Sequence, residues 1–141
     1  MKLLNPAVYA ALLAAGPGII SLSSTTDASA ALEVEQYNSA LFVSGGVGEE
    51  ERLAIEKLSL GYSLELLFAT KSLPNQYLAD VKVQIKDRDG KVVLDTVSQG
   101  PFLLAKVPPG RYSISADSDG RVKQQTVQVT GATPNRIVFL W

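Results

Sequence analysis

Between residues 62 and 141 apolar and polar side chains alternate in short runs separated by turn residues. A period of two marks strands half-buried on a sheet, because successive side chains leave opposite faces. The cleanest run is 78–86, where Ala79, Val81, Val83 and Ile85 point one way and Asp80, Lys82, Gln84 and Lys86 the other. Residues 62–70 put Leu64, Leu66 and Phe68 on one face, and 111–116 put Tyr112, Ile114 and Ala116 inward. Residues 91–97 and 102–107 supply two more strands, and 136–141 another with Ile137, Phe139 and Trp141 on one face. In 121–129 the apolar phase slips between Val122 and Val127, which predicts a β-bulge near Gln124 and Gln125. Asp-Gly at 89–90 and at 119–120 marks two tight turns, since both residues tolerate positive φ. Seven short strands with turns about every ten residues predict a mainly β domain: a sandwich of two antiparallel sheets.

Before residue 62 the pattern changes. Residues 40–43 suggest one short strand, and Ser44-Gly45-Gly46-Val47-Gly48 then breaks the chain. Residues 49–58 read as a helix. Glu49, Glu50 and Glu51 occupy its first turn, where the macrodipole favours negative charge, and Lys57 lies near its end. Leu53, Ile55 and Leu58 are expected to form a partial apolar face, with Gly61 at the stop. The first thirty residues follow a third pattern. A basic start, a mostly apolar stretch over 7–22 and Ala28-Ser29-Ala30 make a signal peptide with cleavage near Ala30. Pro6 and Gly16-Pro17-Gly18 interrupt the apolar run, so no stable membrane span is expected. The expected division is a signal at 1–30, a lead-in at 31–61 and the β domain at 62–141, in a protein that is periplasmic or secreted.

Composition narrows the chemistry. The 141 residues carry a formal net charge of −1, which gives no basic patch for nucleic acid. There is no cysteine, so no disulfide braces the domain and its core must hold it alone. With no histidine either, the common nucleophile–base pairs and nitrogen- or sulfur-ligated zinc sites are closed.

The run Gly90 to Asp117, GKVVLDTVSQGPFLLAKVPPGRYSISAD, resembles the carboxypeptidase regulatory-like domain, a transthyretin-like β-sandwich. The resemblance rests on Val107, then Pro108-Pro109-Gly110, then an aromatic strand residue, Tyr112, and it extends over about 62–141. It implies a seven-stranded antiparallel transthyretin-like or Ig-like β-sandwich, here with one short N-terminal helix. It also implies a non-catalytic module that contacts proteins or carbohydrate. The transthyretin-like hydroxyisourate hydrolases rely on histidines and a Tyr-Arg-Gly-Ser-type tail. This chain has no histidine and ends Val138-Phe139-Leu140-Trp141, so that activity is excluded.

The remaining candidate sites are weaker. Gly45-Gly46-Val47-Gly48 before a helix invites a phosphate loop, but no Lys-Ser/Thr follows and three glutamates would repel the anion. The two Asp-x-Asp-Gly turns offer carboxylates for calcium, yet they lack the required loop spacing and are expected at opposite ends of the sandwich. Glu65, Lys82 and Asn135 are the residue types of an isopeptide bond, but Lys82 lies on a polar face. No carboxylate pair is placed across a cleft. The sequence therefore predicts no catalytic, cofactor or metal residue. Pro108, Pro109 and Gly110 are assigned to a structural turn, and Tyr77, Phe102 and Trp141 to a candidate ligand surface. The expected role is a non-enzymatic envelope or periplasmic module with a protein partner, or alternatively a carbohydrate-binding module.

Overall fold

The hydrophobic alternation becomes nine strands in two sheets in a computed structural model, which describes residues 32–72, 76–131 and 133–141. The signal peptide expected at 1–30 lies outside the described residues. The strands are β1 (Glu35–Tyr37), β2 (Ala40–Gly45), β3 (Leu64–Ala69), β4 (Val81–Asp87), β5 (Val92–Ser98), β6 (Phe102–Lys106), β7 (Gly110–Ser118), β8 (Arg121–Val129) and β9 (Asn135–Leu140). One helix, α1 (Glu49–Ser59), follows β2. The five-stranded sheet runs β1-β2-β6-β3-β9 and the four-stranded sheet β5-β4-β7-β8. Leu32–Trp141 forms one compact unit.

A single buried cluster draws on both sheets. Leu64, Leu66 and Phe68 of β3, together with Ile137 and Phe139 of β9, join Val81, Val83 and Ile85 of β4 and Tyr112, Ile114 and Ala116 of β7. These are the inward positions that the period of two selects. Ala79 does not join them: it is exposed, and Asp80 takes a left-handed φ of 57°, so the strand begins only at Val81.

Four further expectations need correction. The sheets are not wholly antiparallel, because β3 and β9 pair in parallel from Leu64↔Asn135 to Ala69↔Leu140. A parallel neighbour needs a long crossover, and here β4 to β8 lie between the two strands in sequence. β8 carries no bulge: its register with β7 is continuous from Ser118↔Arg121 to Gly110↔Val129. Its phase slips because the strand is exposed along most of its length and only Val127 and Val129, at its end, meet the core. The irregularity lies instead in β5, where Val93 is inserted between Leu94, paired with Ile85, and Val92, paired with Lys86.

The two remaining corrections concern 32–61. β1 has no counterpart in the predicted strands. It forms a hairpin on β2 through Asn38, which takes φ 53°. β2 in turn pairs with β6, so the lead-in is built into the five-stranded sheet. The helix forms where expected, but only Ile55 is buried; Leu53 stays 52% exposed and Leu58 36%. Residues two apart on a helix differ by about 200° in direction, so Leu53 and Ile55 cannot share a face.

Candidate functional site

The site is set by the face of the five-stranded sheet turned away from the main core. On β2, β6 and β3 the outward residues are Val43, Phe102, Leu104 and Leu67. Val43, Phe102 and Leu104 form a second buried cluster with Ile55, the buried residue of α1. α1 starts without a side-chain cap. Glu51 compensates by reaching back so that its Oε1 accepts from the amides of Gly46 at 3.0 Å and Val47 at 3.1 Å. A carboxylate already stands where a phosphate would sit, which removes the physical basis of the phosphate-loop reading. Gly46 is required here twice over. Its φ is +101°, and a β-carbon would lie 2.5 Å from the Phe102 ring.

α1 leaves part of this face open. Between it and strands β3 and β9 runs a groove of about 490 Å³. Its helical wall carries Glu49, Arg52 and Glu56; its sheet side carries Phe102, Glu65 and Arg136. Glu65 and Arg136 face each other across the parallel β3–β9 pair, with Nε 3.9 Å from Oε2. That is an ion pair without a hydrogen bond, and Arg136 is largely in solvent. Arg52 closes one end. Its guanidinium carbon lies 5.8 Å from the centroid of the Tyr77 ring, and that ring lies 6.0 Å from Phe102 at 45°. A smaller hollow of about 290 Å³ lies on the other side of Arg52, walled by Val47, Tyr77 and Pro101.

The three ligand-surface candidates divide. Tyr77 and Phe102 are brought together, but only Tyr77 is exposed, at 55%. Phe102 is buried beneath Tyr77 and α1. Trp141 is also buried, 6.3 Å from Phe68 and 6.1 Å from Phe139, and its Nε1 donates to the Arg121 carbonyl at 2.8 Å. Neither is available as a stacking surface. The phase of β9, which turns Ile137 and Phe139 inward, carries Trp141 inward with them. Phe102 faces outward, and its burial depends on α1 lying over it, which alternation along β6 does not reveal.

Arg52, Glu65 and Arg136 were not singled out together by the sequence. Their signal was weak: one outward charge on each of two apolar strands, and one basic residue in an acidic helical turn.

Val107-Pro108-Pro109 connects β6 to β7, which begins at Gly110. Ser63 Oγ holds Val107 from both sides, donating to its carbonyl at 2.9 Å and accepting from its amide at 3.2 Å. The carboxylates of the two Asp-Gly turns hold their own loops. Asp87 Oδ1 accepts from the amides of Asp89 and Lys91, and Asp117 Oδ1 from that of Gly120. The β4–β7 register puts Asp87 opposite Tyr112 and Asp117 opposite Lys82, at opposite ends of the sheet. Among the described residues no cluster of carboxylates is arranged to hold a metal ion, and no helix is long and apolar enough to cross a membrane. In comparisons with known proteins, no family model matches the chain and no curated protein matches it.

Proposed function

We propose that this chain is an exported, non-enzymatic β-sandwich module of the carboxypeptidase regulatory-like type, and that it binds a protein partner of the cell envelope in the groove beside α1. The observation that carries this reading is the groove itself: an apolar floor at Phe102 ringed by Glu49, Glu56 and Glu65 and by Arg52 and Arg136. Charges of both signs around an apolar strip suit a polypeptide that carries both signs itself. A sugar would need an exposed ring to stack on. Tyr77 offers one ring, and Arg52 sits over it, so a carbohydrate-binding module is the weaker reading.

The test immobilises the full chain and applies envelope extract. Wild type is expected to capture a defined protein, and Arg136→Glu to lose it. Lys86→Glu, on the four-stranded sheet, is expected to retain it. Capture indifferent to Arg136→Glu overturns the groove as the site. Glycan-array binding that disappears in Tyr77→Ala overturns the protein partner in favour of a sugar.

A further inference from the structure

Two sheets present four edge strands, and an edge with free amides and carbonyls pairs with another strand unless something prevents it. Three edges here are blunted. β1 is only three residues long. β5 is interrupted at Val93. β9 bonds to the β3 side through its odd-numbered residues, as the amides of Asn135 and Trp141 do to Ser63 and Ala69. Alternation therefore turns the Val138 carbonyl to the open side, where Gln125 Nε2 donates to it at 2.8 Å.

β8 is different. It runs nine residues, RVKQQTVQV, without proline or bulge. The two-residue turn at Asp119-Gly120 makes Ser118↔Arg121 a hydrogen-bonded pair, and such pairs then recur at every second residue. The amides and carbonyls of Val122, Gln124, Thr126 and Gln128 consequently point away from β7, and all four residues are exposed.

We propose that this edge pairs antiparallel with β8 of a second copy of this chain, about a two-fold axis at Gln125. In that register the outward residues meet as Val122 with Gln128 and Gln124 with Thr126, giving about eight backbone hydrogen bonds. Lys123 faces Val127 and Arg121 faces Val129, so no cation opposes a cation. Moving the axis to Lys123 would set that lysine against its own copy, and moving it one residue, to Gln124 or Thr126, would shorten the paired stretch and reduce the backbone hydrogen bonds to about six. The sequence of β8 is thus complementary to itself in its longest register, and the four-stranded sheet becomes continuous across the pair.

Light scattering on the full chain is expected to give twice the 15.0 kDa chain mass. Thr126→Pro removes one outward N–H while leaving the bonds to β7, so its mass is expected to halve. The chain has no native cysteine, so single cysteines report the register directly. Under mild oxidation Gln125→Cys, which meets its own copy, is expected to form a disulfide-linked dimer. Val122→Cys, which meets Gln128, is expected not to. A chain monomeric over a wide concentration range overturns the proposal, as does a folded Thr126→Pro that remains dimeric. Equal cross-linking of the two cysteine variants overturns it even if Thr126→Pro fails to fold.

Discussion

The Tyr112 hydroxyl donates to the Pro108 carbonyl at 2.6 Å, clasping β7 to the proline turn that precedes it. The ring beneath is buried between the sheets, so this one side chain both fills the core and fixes the proline turn. Tyr112→Phe keeps the ring and deletes the bond. It is expected to cost about 1 kcal/mol in urea unfolding. The phenol is also held above its ordinary 10.0, first by burial and then by the nearby Asp87 carboxylate, and burial alone raises Tyr62. Both therefore favour the protonated form when folded. Their contribution is complete below pH 10 and is lost as pH rises through the folded values. Unfolding midpoints measured across the alkaline range should fall, and less steeply in Tyr112→Phe.

Trp141 seals the main core against Phe68 and Phe139. Trp141→Ala is expected to cost about 3–5 kcal/mol, from lost packing and an unfilled space. It is also the chain's one tryptophan, so its emission reports on this corner alone. Wild-type emission should shift to the red in the same urea transition that circular dichroism detects. Non-coincident transitions would mean that the corner opens separately.

Gly100 presses on β2. A β-carbon there would overlap the Gly45 backbone, while Gln99 N donates to Ser44 Oγ and Ser98 Oγ to the Gly100 carbonyl. The turn has no room to withdraw. Gly100→Ala should therefore cost about 1–3 kcal/mol. Gly61→Ala meets only the Leu58 carbonyl at 3.6 Å and should change stability by less than about 1 kcal/mol. Thermal unfolding of the two variants side by side checks the contrast.

Where side chains met a continuous core, the sequence was readable. Leu64, Leu66, Phe68, Val83, Ile85, Ile114, Ile137 and Phe139 are buried as their alternation requires. Legibility failed where a neighbour distant in sequence decides the outcome. β8 has little core to set its phase, and β1 depends on Asn38 adopting a left-handed turn without a following glycine. The groove was hidden for the same reason. Glu65 and Arg136 lie far apart in the chain and meet only because β9 enters the sheet parallel to β3.

That parallel pairing also orders events in time. β3 is made early and gains its outer neighbour only from the last strand in the sequence, after the entire four-stranded sheet has been synthesised. Until then its apolar residues and unpaired backbone are open to any passing strand. Contacts that close so long a loop form slowly, and the interval before they form is when aggregation competes. A chain released before β9 would keep most of its strands and still lack the one that makes β3 safe.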